Sequence, residues 1–537
     1  MANKTVKLLT NAADFPLTYA NATRTAILND DAAPRMPGNF YGDSANADYG
    51  TPQLIYAENV MPCAKGIFSV GFSQQAAEHA TATSFDRCIP LRDPEERVFP
   101  FSPAGGENYV LDPVSLEWSS VSPVTPSGRL VTYAYVEGRT FICYEQTKII
   151  EYNASTGLFE DVVLTLPAGY TMSNIRGIGG AANYLLLFTT LSILWCAPLN
   201  LTEFANVDMG AGEQTPIDIK ANIVALLPVA GGFIVYTARN AIGASFTNDA
   251  GSPFLFQEIP NCGGVADIEK ITVDAEAQGH YLYGTHGLQR VTLQASVQNF
   301  PEVTDFLTGR QIERWNPLTK TVDLTALSSD FAVKLAFVLG RYLAISYGEV
   351  EGYYEFVLVY DTALKRWGKL QCEHCDVFSY PYPSGTGDYT YETIPTSYGA
   401  LTISYDEMDI FYLEANPPKD GFALLTRTGE IVIAKLDFTQ AVADGVALFG
   451  HLQLRHDRHT TLLDVEIDGL RNEGELTVIA SEDGYTKISS DVIAPETQAS
   501  GYSHYSCRET AKSFDIAIEG TFVLSSLLAT VMFHGSR

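Results

Sequence analysis

The chain has 537 residues, 46% of them apolar, and its 63 acidic residues against 34 Lys plus Arg give a formal charge of −29. So much apolar side chain excludes a disordered protein, and the acidic excess argues against tight, static binding of nucleic acid, whose phosphates ask for a basic face. Eleven per cent aromatics with 43 Gly and 26 Pro suit many short strands and turns better than long helices, so an all-β chain is expected.

Residues 1–82 open on MANKTVKLLTNAADFPLTY, which has no apolar h-region and gives no sign of a signal peptide. The turn-laden NDDAAPRMPGNFYGDSANADYGTPQ that follows reads as an extended segment ordered by lying on something else.

Residues 83–440 carry a repeated signature: an apolar or aromatic residue, then Asp or Asn, then five residues, then Trp or Phe. YVLDPVSLEW sets Asp112 before Trp118, IIEYNASTGLF sets Asn153 before Phe159, and VLVYDTALKRW sets Asp361 before Trp367. The Asp or Asn oxygen accepts from backbone N–H groups just downstream and starts a turn, with Gly157 as a permissive position in one copy. The aromatic opens the returning strand and packs on the hairpin. Degenerate copies end at Phe204, Phe254 (with Asn248 six residues before it) and Phe300. The spacing of roughly 40 to 50 residues is that of a four-stranded blade, and the sequence predicts a β-propeller of six or seven blades. The alternative architecture is a pair of β-sandwiches with kelch-like turns.

The longest apolar runs, YLLLFTTLSILWCA and VALLPVAGGFIVY, are too short to span a bilayer and read as paired buried strands. Residues 441–537 alternate apolar and polar side chains in LLDVEIDGL, GELTVIASEDGYTKI and KSFDIAIEG, which predicts a separate small β-domain of sandwich type.

No catalytic, cofactor or metal constellation assembles from the sequence, and the chain reads as a non-enzyme with no cofactor. The eight cysteines are scattered through strand-like contexts and read as reduced, buried thiols. Cys372 and Cys375 flank His374 in QCEHCD, but no second ligand pair follows at zinc spacing. In RGIGGAAN, Gly177 and Gly179 echo a dinucleotide loop, yet a strand follows instead of a helix N-terminus, and blade turns are expected there. His456 and His459 are three apart and fall on opposite faces of the expected strand. The Tyr- and Gly-rich FSYPYPSGTGDYTYETIP at 378–395 suits an interface loop or a surface that stacks on sugars. Paired carboxylates for glycan cleavage are a matter of distance that sequence does not give.

Two stretches outside the blades resemble a known family. In QLIYAENVMPCAKGIFSVGF, the residues Tyr56, Asn59, Val60, Met61, Pro62, Gly66, Ser69 and Val70 resemble an N-terminal signature of tail hub or nozzle proteins from short-tailed double-stranded DNA bacteriophages. The ending is similar too, through SFDIAIEG (Ser513 to Gly520) and LSSL (Leu524 to Leu527). The resemblance implies a structural virion protein, assembled in the host cytoplasm as a homohexameric ring below the portal and adaptor. Tail fibres or spikes would attach to it, and genomic DNA would pass transiently through its channel. It supplies no catalytic residue. An acidic wall repels a duplex and lowers friction on it. The alternative function is a propeller-based glycan-binding or glycan-cleaving protein, and a kelch-like scaffold is a third.

Overall fold

A computed structural model of the chain describes residues 3–9, 53–63 and 66–76 and, with breaks of at most nine residues, 84–382 and 419–533. Asp112, Gly157, Asn248, His456 and residues 383–395 of the Tyr-rich loop lie outside the described residues.

The fold is an all-β propeller joined to a β-sandwich. Blade 1 comprises Ile89–Arg92, Val98–Ala104, Glu107–Leu111 and Trp118–Val121. Blade 2 runs from Val131–Val136 to Leu158–Asp161, blade 3 from Gly177–Ala181 to Gly212–Gln214, blade 4 from Ile223–Val229 to Phe254–Glu258, and blade 5 from Ile271–Val273 to Val297–Asn299. Each is a four-stranded antiparallel meander. Blade 6 comprises Ala332–Val338, Tyr342–Gly348, Tyr354–Asp361 and Arg366–His374.

Blade 7 is discontinuous. Its inner three strands are Asp376–Tyr382, Lys419–Leu425 and Ile431–Lys435, while its outer strand is Gly71–Ala76 from the N-terminal segment, paired Lys435 to Gly71. The inner strands of successive blades adjoin from 2 to 7, blade 7 meets blade 1, and blade 1 meets blade 2, so the ring closes with seven blades. Apolar cores fill the gaps: Phe101, Ile142 and Phe159 between blades 1 and 2, Phe233, Trp195 and Phe254 between 3 and 4, and Phe85, Trp118 and Tyr380 between 7 and 1, while the core between blades 5 and 6 runs on into the sandwich. This division into gap-sized cores follows from period-2 alternation on sheets that are covered on both faces.

Two five-stranded sheets make the sandwich. One is ordered Asn3–Leu9, Ser526–Phe533, Thr460–Asp468, Tyr502–Ala511, Glu496–Thr497; the other is Gln53–Glu58, Gly445–Leu452, Ser513–Gly520, Glu475–Ser481, Lys487–Ile493. Alternation along the second sheet is clean. Phe449, Val478, Ile516 and Ile518 join the core shared with the first sheet, while Leu448, Ile479 and Ala517 face the other way, toward Trp315 and Val322. Those two belong to the hairpin Gln311–Asn316/Thr321–Ala326, which leaves the propeller between blades 5 and 6 after the helix Pro301–Thr308.

The strands cross the divisions expected at residues 82 and 440. Asn3–Leu9 and Gln53–Glu58 each complete a sandwich sheet, and Gly71–Ala76 completes blade 7. Within the described residues, the extended segment is taken up by its own chain. RGIGGAAN also differs from the expected turns: Gly177–Ala181 is the buried inner strand of blade 3. A Cβ on Gly179 would stand 2.7 Å from the Leu226 carbonyl oxygen and one on Gly180 2.8 Å from Val136 Cγ2, so the glycines serve close approach of blades 2 and 4.

Candidate functional site

The repeated signature forms the outer hairpin of its blades. Leu111 pairs with Trp118, Tyr152 with Phe159, and Tyr360 with Trp367, the same register three times. In the third copy the carboxylate is nearly fully buried: Asp361 Oδ1 accepts from Ala363 N–H at 2.9 Å and Leu364 N–H at 3.0 Å, and Arg341 grips both oxygens at 2.6–3.0 Å. Lys365 closes the turn at φ 56°, and Trp367 lies on Tyr360 with ring centroids 4.6 Å apart. Asn153 uses its amide to donate to Glu160 at 2.9 Å, and the Phe159 ring lies tilted against Tyr152, centroids 5.3 Å apart. These residues are structural and stand in different blades; they do not converge on a site.

Among the degenerate copies, Phe254 opens the fourth strand of blade 4 opposite Phe246. Phe204 and Phe300 do not play that part. Phe204 lies in the link that precedes Gly212–Gln214, and Phe300 follows the last strand of blade 5.

A copy that the sequence reading passed over lies in the 311–326 hairpin. Asn316 Oδ1 accepts from Leu318 N–H at 3.1 Å and Thr319 N–H at 3.2 Å, Lys320 takes φ 54°, and Trp315 pairs with Val322. WNPLTKTV showed the Asn and the spacing, but Val322 stands where an aromatic was sought.

The stretches that carry the family resemblance meet in a seam between propeller and sandwich. Val60–Cys63 and Gly66–Ser69 form a hairpin, and Val60 pairs with Lys369 on the outer edge of blade 6. Ile67 and Phe68 pair with Leu524 and Val523, and Val523 pairs with Arg471, so the sheet of blade 6 continues through eight strands into the C-terminal region. Asn59, at φ 52°, turns the chain here. Its Oδ1 accepts from Gln371 N–H at 2.8 Å, and its carbonyl accepts from Val70 N–H at 2.8 Å. The Tyr56 hydroxyl accepts from Trp315 N–H at 2.9 Å and donates to Glu58, while the buried Lys369 ammonium lies 4.7 Å from the ring centres of both Tyr56 and Phe356. Aromatic faces are attractive to such a cation when it is desolvated.

A second polar centre lies where blades converge on the propeller axis. Lys334, on the inner strand of blade 6, places Nζ 3.1 Å from Asp376 Oδ2 of blade 7 and 3.5 Å from Glu269 Oε1, which precedes blade 5. The same Asp376 oxygen accepts from Cys88 N–H at 2.6 Å, at the entry to blade 1. Burial works against the Lys334 charge, but Asp376 and Glu269 outweigh it and hold its pKa above the usual lysine range. Burial likewise opposes the Glu269 carboxylate, and Lys334 with Arg87 overrides it, keeping that pKa low. One buried charged group thus joins the inner strands of blades 6 and 7 to the segments that lead into blades 5 and 1.

The remaining polar candidates are satisfied by protein. His374 Nδ1 donates to the Cys372 carbonyl at 2.6 Å, which leaves Nε2 to accept from Ser346 Oγ at 2.8 Å. His280 is the opposite tautomer: Nε2 donates to the Pro228 carbonyl at 2.7 Å and Nδ1 accepts from Tyr236 at 2.8 Å. Cys375 Sγ donates to the Leu425 carbonyl, so QCEHCD does not converge on a metal position. His459 is exposed at the start of Thr460–Asp468. Burial raises the Cys143 and Cys262 thiols to about 12 and those of Cys196 and Cys372 to about 11, the reverse of what a nucleophilic thiolate requires. Among the described residues, no group of three or more His, Cys, Asp or Glu is placed to hold a metal ion, and no helix is long and apolar enough to cross a membrane.

No protein-family model and no curated protein matches the chain. Among solved structures it is similar to YCF48 from Cyanidioschyzon merolae, at 10% identity over 56% of this chain and 87% of that one, with a TM-score of 0.32. It is also similar to the extracellular domain of a hybrid two-component system from B. thetaiotaomicron, at 10% identity over 79% of this chain and 47% of that one, with a TM-score of 0.39. The chain spans about half the length of the latter.

Proposed function

We infer that this propeller protein is a structural component of a short phage tail, a hub or nozzle subunit that assembles as a homohexamer below the portal and adaptor. The observation that carries the reading is the seam. The two stretches that resemble such proteins, around Tyr56–Val70 and Ser513–Leu527, lie at opposite ends of the chain yet pair directly, Ile67 with Leu524 and Phe68 with Val523. A resemblance held in two distant pieces thus corresponds to one physical unit.

The charge supports the same reading. The reading assigns the DNA path to the space enclosed by the ring of subunits. A chain carrying −29 lines that space with repulsion toward phosphate. The propellers then sit outside as platforms for fibres or spikes.

The test is immunogold negative-stain microscopy of particles from the source lysate, using antibody raised to this chain. Label at the single vertex that bears a short tail is expected. Unlabelled particles beside a soluble fraction rich in the chain would sink the tail reading and turn attention to a glycan-binding screen.

A further inference from the structure

The charged group at the propeller axis has the composition and placement of a self-crosslinking site. We propose that Lys334 and Asp376 condense to an intramolecular isopeptide bond, with Glu269 as the proton carrier, covalently tying the inner strand of blade 6 to that of blade 7.

Three features of the geometry carry this. The amine is already at the carboxyl: Lys334 Nζ is 3.1 Å from Asp376 Oδ2, so Cγ lies no more than one carbon–oxygen bond beyond. Both partners sit on adjoining inner strands that fix their approach, and reacting groups held at contact distance gain most of what proximity can give. Second, a third ionisable group touches the pair, since Glu269 Oε1 is 3.5 Å from the same nitrogen. Third, two backbone N–H groups hold the carboxyl: Val377 at Oδ1 (2.9 Å), as donor for the oxyanion of a tetrahedral intermediate, and Cys88 at Oδ2 (2.6 Å), the oxygen that leaves.

The surroundings favour the product. The side chains of Lys334 and Asp376 are only 7% and 6% exposed, and Tyr354, His374 and Cys375 around them are buried. Two opposite charges in so dry a place each carry a desolvation penalty, and the penalty of a hydrogen-bonded amide is much smaller.

The step balances without an outside reagent. Asp376 and Glu269 keep Lys334 charged at rest, so the reaction begins when one ammonium proton passes through Glu269 to Asp376 Oδ2, freeing the nitrogen lone pair and leaving a neutral carboxyl group. The nitrogen attacks Cγ and a C–N bond forms. Glu269 carries a second proton from the nitrogen to Oδ2, the Cγ–Oδ2 bond breaks, and one water leaves. Oδ1 remains as the amide carbonyl oxygen, still facing Val377 N–H, and Glu269 ends as it began. Nothing is oxidised or reduced. The outcome is a closed covalent loop between residues 334 and 376 that ends on blade 7, whose outer strand comes from the N-terminal segment, and it holds whether or not the tail reading does.

The experiment is mass spectrometry of the purified full chain under denaturing conditions, followed by proteolysis and tandem sequencing. The wild-type chain is expected one water lighter than its sequence, with a branched peptide containing Lys334 and Asp376. Lys334→Met should restore the full mass, and Glu269→Gln should leave most molecules uncrosslinked. A wild-type chain at full mass that yields linear peptides with unmodified Lys334 and Asp376 overturns the proposal. So does a lost water that maps elsewhere, such as the Asp468-Gly469 step. Both readings come from wild-type protein and do not depend on a variant folding.

Discussion

Ser69 Oγ stands against the backbone of Phe522, accepting from its N–H at 3.0 Å and donating to its carbonyl at 3.4 Å, across a separation of 453 residues. Both residues are fully buried. One hydroxyl therefore satisfies two main-chain groups just where the N-terminal hairpin meets the C-terminal strands. Ser69→Ala removes that partner and leaves a buried donor unpaired, which costs about 1–3 kcal/mol. Urea unfolding should show the loss, and hydrogen exchange should localise it to 66–76 and 522–524. Faster exchange spread evenly over all blades would speak against a seam.

The junction of the N-terminal hairpin with blade 6 gives a sharper prediction. A Cβ added to Gly368 would lie 2.2 Å from Met61 Sδ and 2.8 Å from the Val60 carbonyl oxygen. Met61 can shift its flexible end; the Val60 backbone cannot move so readily. Gly368→Ala should lower stability by about 1–3 kcal/mol through overpacking, and limited proteolysis should then cut within 53–76 first. Unchanged protection of that segment would mean the hairpin does not rest on blade 6.

Much of this architecture is legible in sequence because its signals are local. Asp361, Asn153 and their aromatics lie within one turn, so spacing alone identifies the outer hairpin. Asn316 escaped the same logic because its turn ends on Val322 and lies outside the blades. The strand Gly71–Ala76 could be read as extended but not assigned, since its partner Ile431–Lys435 lies most of the chain away. Gly177–Ala181 looked like turns because glycine announces freedom of φ, whereas here it answers a demand for space. Lys334, Asp376 and Glu269 come from three separate parts of the chain, and nothing in their local contexts joins them.

Asp361 should behave as the keystone of its blade turn. Asp361→Ala removes the acceptor of two turn N–H groups and the partner of Arg341, and a loss of about 2–4 kcal/mol is expected for a buried carboxylate so engaged. Asp361→Asn keeps an oxygen for Ala363 and Leu364 but not the charge. Because Arg341 is 45% exposed, the ionic part is screened and the Asn variant should lose about half as much or less. Equal losses for Ala and Asn, measured by urea unfolding, would place the stability in the ion pair instead of the turn.

The two buried histidines predict an acid-sensitive fold. Burial lowers His280 and His374 from the ordinary 6.5 to about 4, and each is locked as a neutral tautomer. Below pH 6.5 the unfolded chain binds protons at these sites that the folded chain refuses. Stability is therefore full above that pH, falls as pH drops from about 6.5 to about 4, and loses nothing further from them below. The shift corresponds to about 3 kcal/mol for each histidine. Urea unfolding at pH 7.5 and pH 4.5 should show the drop, and His280→Gln should make it smaller while lowering stability at pH 7.5. A pH slope unchanged in that variant would assign the acid sensitivity to other groups.

The hairpin that carries Trp315 should clamp the sandwich through Glu519. Glu519 accepts from Trp315 Nε1 at 2.9 Å, from Lys320 Nζ at 2.5 Å and from Thr477 Oγ1 at 3.3 Å. Lys320 and Glu519 are only 14% and 17% exposed, so the pair is shielded and its three donors depend on one carboxylate. Glu519→Ala leaves an indole N–H and an ammonium without their acceptor, and about 3–5 kcal/mol should be lost. Trp315→Ala strips the apolar cover from Leu448, Ile479 and Ala517, with a similar expected loss of about 3–5 kcal/mol. Because the two residues act through one contact, the double variant should lose less than the sum of the singles. Strict additivity in that cycle would show that hairpin and sandwich are held by other contacts, and Trp315 fluorescence, shifting to the red as the ring meets water in Glu519→Ala, reports the same event independently.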